Sequence, residues 1–331
     1  MMFPSMKAMM QEEGEIGRKK FSQYSRMLTL PLAVIQGVSF LLILERSGVI
    51  SMLTPFHFAV NLAVITAGSI LLMWIGELIS EYGLGNGVSL IIFGGIVASL
   101  PASVSSLIFS FDSTLLPVYA AALAVGLVVI ASVVYITEAE RPVPVTYAKR
   151  VRGMKFFGGA STYLPLRLNQ AGVIPIIFAL SFLLLPQMFA SFFVTSANPI
   201  LAGISASILG AFQNLALYGT LYFFLVFFFT YFYTAVTFDP KMIADNLQKN
   251  GAFIPGVRPG EFTQEHLGKI ITRITMVGAL FLGLIAVLPI IMQSFTGIQT
   301  LAIGGTALLI VVSVILDLTR RIDAQLSIRE Y

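Results

Sequence analysis

Long apolar runs separated by short polar segments set the pattern of this chain. Runs at roughly 27–44, 58–76, 88–109, 114–137, 171–194, 215–238, 274–294 and 298–316 each approach the ~20 residues a helix needs to cross a bilayer. The pattern therefore predicts eight transmembrane helices. Segment 195–214 is also apolar, but it is rich in small residues and contains Asn198-Pro199. It reads as an external loop with a short interfacial helix, a ninth span being the alternative. Proline interrupts some spans: Pro175 and Pro186 in the fifth, Pro289 near the end of the seventh. Within a membrane such breaks are tolerated where neighbours or a cavity satisfy the freed carbonyls. Small residues such as Ala67, Gly68 and Ser69, or Gly94, Gly95 and Ala98, read as sites of close helix packing.

Charge then fixes the expected orientation. With the N-terminal end inside, the inside segments are 1–26, 77–87, 138–170, 239–273 and 317–331. They carry five, none, six, five and three Lys+Arg, and only Arg46 of the chain's 20 lies outside. This is the bias of the positive-inside rule, and a ninth span would invert the last two segments and destroy it. Two inside loops, 138–170 and 239–273, are long, basic and punctuated by Pro and Gly. They suit a docking surface for a large partner, or serve only as topology anchors. Within the second lies "FIPGVRPGEF", which places Arg258 between two Pro/Gly turns.

Composition agrees with the pattern. The chain is 57% hydrophobic and 11% charged, with mean hydropathy +0.89, whereas soluble domains carry about 25% charged residues. There is no cysteine, hence no disulfide or thiolate metal site, and His57 and His266 lack partners at metal-ligand spacing. No expected span has a charged residue near its centre, which argues against ion-coupled transport. Neither H-E-x-x-H nor G-x-x-x-x-G-K-[ST] occurs, and "GLGNGVS" has Val88 where a dinucleotide fingerprint needs its third glycine. No cofactor and no enzymatic activity are expected.

Several stretches carry a resemblance. They are "MWIGELISEYGLGNGVSLIIFGGIVASLP" (73–101), "VPVTYAKR", "STYLPLRLNQAGVIPIIFA" (161–179), "FDPKMIADNLQKNGAFIPGVRPGEFT" (238–263) and "GGTALLIVVSVILD" (304–317). In this order, from about Gln11 onward, they closely resemble the SecY family, the channel subunit of the bacterial protein translocase. The resemblance implies an all-α polytopic membrane bundle of the translocon type, with eight of the family's ten transmembrane helices. It implies conduction of unfolded polypeptides across or into the cytoplasmic membrane, with both ends of the chain cytosolic. Implied partners are SecE, SecG, the SecA motor, the ribosome through its RNA, signal peptides and unfolded preproteins, and membrane lipids.

The resemblance also implies site residues. Arg258 takes the family's loop position for productive SecA coupling. Lys149, Arg150, Arg152 and Lys155 form a basic cluster that contacts ribosomal RNA, with positive-inside anchoring as the plainer reading. Ile92, Ile177 and Ile310 take positions in the aliphatic ring at the channel waist, the first with Ile91 as its alternative. Gln36 and Asn169 are candidate polar residues of the lateral gate; Gln36 reads equally as a helix–helix hydrogen bond. Residues 1–137 then correspond to the remnant of the N-terminal half plus the first span of the C-terminal half, 114–137, and residues 138–331 to the rest of that half.

The chain departs from the family at its start. The first helix, the plug and nearly all of the second helix have no counterpart, which leaves a truncated gene or fragment, a start assigned too far downstream, or a true short variant. A non-conducting remnant that only docks ribosomes and a secondary transporter of small solutes are the alternative functions. The transporter requires a buried charge or an unwound polar site near the midplane.

Overall fold

The computed structural model describes residues 14–329, apart from 47, 84, 110–113, 115, 148–149, 153–154, 158–160, 195–197 and 297–298. The chain divides into two compact units. One comprises helices α1 (Gly14–Arg46) and α2 (Pro55–Tyr82), the start of α3 (Gly87–Phe109), the later half of α5 (Ile174–Phe193) and nearly all of α6 (Pro199–Gln213). The other comprises the rest of α3, α4 (Leu116–Glu138), the beginning of α5, α7 (Leu215–Thr237), α8 (Pro240–Lys249), α9 (Glu261–Thr296), α10 (Gln299–Arg329) and all the strands.

In the first unit, α1 and α2 run antiparallel. Arg26 Nε donates to Glu77 Oε1 at one end. Midway, Gly37 lies so close to α2 that a Cβ there would stand 2.9 Å from Leu62. At the other end the Glu45 carboxylate accepts the Leu53 N–H at 2.8 Å. Thr54 then caps α2, with Pro55 in its first turn, where a missing N–H costs nothing. The glycine-rich stretch after α2 makes a tight corner. Gly87 packs on the Gly76 carbonyl with no room for a Cβ. Ser80 Oγ ties the corner, donating to Gly76 O and accepting from Gly87 N, both at 2.8 Å.

In the second unit the long loops are not irregular. Strands β1 (Glu140–Tyr147) and β4 (Ser161–Arg167) form an antiparallel hairpin with Glu140 opposite Arg167 and Thr146 opposite Ser161. The short strand β5 (Ala252–Phe253) pairs with β1 only at Thr146 and Tyr147, clear of Pro142 and Pro144, which cannot donate to a ladder. Strands β2 (Arg150–Arg152) and β3 (Lys155–Phe157) pair separately. Val143, Val145 and Leu166 point inward onto Ile254 and onto Leu267, Ile270, Ile271 and Ile274 of α9. Phe238, Ile243 and Leu247 close the rim of this core. Asp239 caps α8, with Pro240 in its first turn. The two long loops therefore fold into one platform.

Helix α9 starts in that platform and continues among the apolar helices. Its 36 residues span about 54 Å at 1.5 Å per residue, well beyond a ~30 Å hydrocarbon core. It packs on α7, where a Cβ on Gly219 would touch Val287 and Ile290. It also packs against α10. Helix α10 in turn clasps the end of α4: Arg320 donates to Thr137 O at 2.8 Å and to Glu138 Oε1 at 3.0 Å.

Among the described residues, seven helices are long and apolar enough to cross a membrane; they match the first seven expected spans. The eighth, 298–316, falls in α10, whose first side chains lie outside the described residues. Within segment 195–214, Pro199–Gln213 form α6, at 15 residues too short to cross a bilayer. The protein is a multi-pass membrane helix bundle with a small sheet in its loops.

Candidate conduit and docking loop

The loop around Arg258 is built from two glycine turns. Ile254-Pro255-Gly256-Val257 closes with a 3.0 Å bond from Val257 N–H to Ile254 O. Proline in second place and Gly256 at φ +83° make it a type II turn, which requires a positive φ there. Gly260, at φ +93°, redirects the chain into α9. Between the turns, the Arg258 carbonyl accepts the Thr263 hydroxyl at 2.8 Å, and Thr263 is itself 2% exposed. Ile254 roots the loop in the platform core. The backbone is held on both sides, yet the Arg258 side chain is exposed. Among the described residues none forms an ion pair with it.

Two ion pairs on the platform are local. Lys269 bridges Glu265 at 2.6 Å, one turn along α9. Its hydrogen bond, and then its charge, hold the exposed Glu265 carboxyl below the usual carboxylate range. Arg167 bridges Glu140 across the hairpin at 3.2 Å. Pro240, Glu261, Gln264, Gly268, Thr272 and Arg273 are among the residues lining a cleft of about 650 Å³. Of the basic cluster, Lys149 lies outside the described residues. Arg150, Arg152 and Lys155 fall on the β2–β3 pair, where only the backbone is described.

The three ring candidates occupy three helices. Ile92 and Ile177 are half-buried, near the starts of α3 and α5. Ile310, 7% exposed, is buried on α10, as are Leu309 and Val314. Gln36 is exposed on α1 and lines a groove of about 480 Å³ with Thr29, Leu32, Phe40, Ile65 and Ser69. Asn169 is buried where the hairpin turns toward α5, its Oδ1 without a partner among the described residues. The two gate candidates belong to different units.

Sequence reading missed the glycines that set the close crossings. A Cβ on Gly278 of α9 would stand 2.6 Å from Leu168 O, and one on Gly283 would stand 2.8 Å from the Phe223 ring. Both read in sequence as ordinary small residues of a span, because the residues they meet are distant in the chain.

Comparison with known proteins follows the same outline. A family model described as SecY matches residues 1–319. Protein translocase subunit SecY of Mycobacterium bovis is 40% identical, the match covering 97% of this chain and 76% of the relative. The subunit of Bacillus subtilis shows the same identity and coverage. That of Thermotoga maritima is 40% identical over 99% of this chain and 74% of its own. Among solved structures, a protein-conducting channel superposes with TM-score 0.64 at 20% identity, covering 95% of this chain and 76% of the other. Canine Sec61 in a ribosome–channel complex superposes with TM-score 0.59 at 18% identity, over 95% and 76%; at such identities the likeness is one of fold. A match running through nearly the whole chain, at such identity to several relatives and with the same fold, leads to one conclusion: this chain belongs to the SecY family.

Proposed function

We propose that the chain is the channel-forming subunit of a protein translocase, which lets unfolded polypeptides cross or enter the cytoplasmic membrane. It is not an enzyme; the work comes from outside. The observation that carries the reading is the Arg258 loop: an exposed guanidinium, without an ion-pair partner among the described residues, on a backbone held by two turns and the Thr263 hydroxyl. Little conformational entropy remains to be lost when a partner docks on such a loop, and a guanidinium suits bidentate acceptors. We assign the docking partner as SecA, and the ribosome through its RNA at Lys149, Arg150, Arg152 and Lys155, where phosphate attraction supplies the affinity. SecE and SecG are the companion subunits. The N- and C-terminal ends face the cytosol in this reading, which the distribution of Lys and Arg supports.

Ile92, Ile177 and Ile310 form part of the seal around the passing polypeptide. Aliphatic side chains make no specific hydrogen bonds and so favour no sequence, and a narrow apolar constriction excludes ions by dewetting. Gln36 and Asn169 belong to the gate through which signal peptides and membrane segments leave sideways into lipid.

Vesicles reconstituted with the chain, SecE and SecG test the reading. With SecA and ATP, an unfolded preprotein should become protected from external protease. Arg258→Glu should abolish this protection while leaving the subunit's membrane insertion and thermal midpoint unchanged. Undiminished protection in that variant removes Arg258 from the docking role. No protection with the unaltered chain counts against the channel.

A further inference from the structure

Where α5 begins, its chain is laid directly on α9. A Cβ built on Gly278 would stand 2.6 Å from Leu168 O, 3.5 Å from its carbonyl carbon and 4.0 Å from Asn169 Cα. Those are backbone atoms, so no side-chain rotation relieves the contact; the chain itself has to move. Nor is Leu168 free to yield. Its N–H donates to Ala139 O at 3.0 Å. Ala139 follows the end of α4, which Arg320 holds through Thr137 and Glu138.

From this joint a packed run leads into α5. Ala171, Val173, Ile176 and Ala179 are all at most 6% exposed, Gly172 turns the chain at φ +61°, and Phe178 and Phe182 rest against Phe229 of α7. A close-packed run transmits a displacement rather than absorbing it. Ile177 stands in the first turns of the helix so placed. We propose that Gly278 is a positioning residue for the channel seal: by letting the Leu168–Asn169 backbone lie on α9, it sets where α5 starts and where Ile177 stands. The platform and the seal then share one helix, since α9 carries the Arg258 loop at its start and the Gly278 contact further along. The proposal rests on the reading of Ile177 as a seal residue.

The test compares three alanines on α9 with a substitution in the seal. Gly278→Ala displaces the root of α5. Gly283→Ala meets the Phe223 ring at 2.8 Å, a side chain on α7. Gly268→Ala has nothing within 4 Å. Ile177→Asn breaches the seal itself. Each is reconstituted with the companion subunits, and resting ion conductance and thermal midpoint are measured. Gly278→Ala should raise the resting leak several-fold, in the direction of Ile177→Asn. Gly283→Ala should lower the midpoint without leak, and Gly268→Ala should match the unaltered chain.

A leak in Ile177→Asn with none in Gly278→Ala overturns the positioning role and leaves the channel intact. Equal leaks in Gly278→Ala and Gly283→Ala also overturn it, because loosened packing alone would then suffice. No leak in Ile177→Asn overturns the seal assignment on which the proposal rests. Should Gly278→Ala fail to accumulate, amide exchange on the unaltered chain decides: residues 168–173 should exchange as slowly as 275–281, and faster exchange of the α5 root refutes the proposal.

Discussion

The platform and the membrane body are built by opposite rules, and α9 passes through both. Along its first turns Leu267, Ile270, Ile271 and Ile274 are buried, while Glu265, Lys269 and Arg273 face outward. Past Ile274 the arrangement changes. Small residues Thr275, Gly278, Ala279, Gly283 and Ala286 are buried beside Leu282 and Ile285, while the exposed face is now apolar, with Met276, Val277, Leu280 and Leu284. Water rewards hiding apolar surface. Lipid does not distinguish one apolar surface from another, so close approach of small residues decides the interior. Helix α7 shows the same apolar exposed face, Phe224, Phe228 and Phe232, with Gly219, Thr230 and Thr234 buried beside Tyr222 and Val226. The hydroxyls of both threonines bond back to carbonyls one turn earlier at 2.7 and 2.8 Å, satisfied within their own helix.

The comparison predicts where substitution hurts. The largest effect belongs to the platform core. Leu267→Ala removes a side chain that is 0% exposed and should cost the platform about 2–5 kcal/mol. Limited proteolysis should then cut within 239–260 while helix content in the membrane persists. Resistance equal to the unaltered chain would show that the loops do not depend on this core.

The next prediction pits the two surfaces against each other. Phe228 and Met242 are similarly exposed, at 62% and 52%. Aspartate at the first should disfavour insertion by about 2.5–3.5 kcal/mol, as for a charge at the centre of a spanning helix. At Met242, on the outer face of α8, it should stay within about 0.5 kcal/mol. Insertion assays on the two variants sharpen the contrast if they diverge and erase it if they agree.

The same two rules explain what the sequence disclosed. Hydropathy located the spans, but it saw only their apolar portions. It placed the seventh from 274, whereas α9 begins at Glu261, because amphipathic turns such as Leu267–Ile274 are not apolar enough to register. The hairpin was legible in principle. Val143 and Val145 alternate with Pro142 and Pro144, a period of two, but the prolines argue against a paired strand and β5 stops short of them. Arg258 was conspicuous as a charge between turns. Its grip through Thr263 was not, since that depends on a side chain folding back from the next helix. The Gly278 crossing left no local signal at all. Its partner lies at Leu168, and only packing brings the two together.

The central claim is that polypeptide passes through the chain against Ile177 and not along the lipid-exposed face of α7. A photoreactive amino acid placed at Ile177, and separately at Phe228, with a preprotein stalled in transit, tests it most directly. The account predicts strong crosslinks to the preprotein from position 177 and almost none from position 228. Equal crosslinking from both positions, or crosslinking from 228 alone, would contradict it.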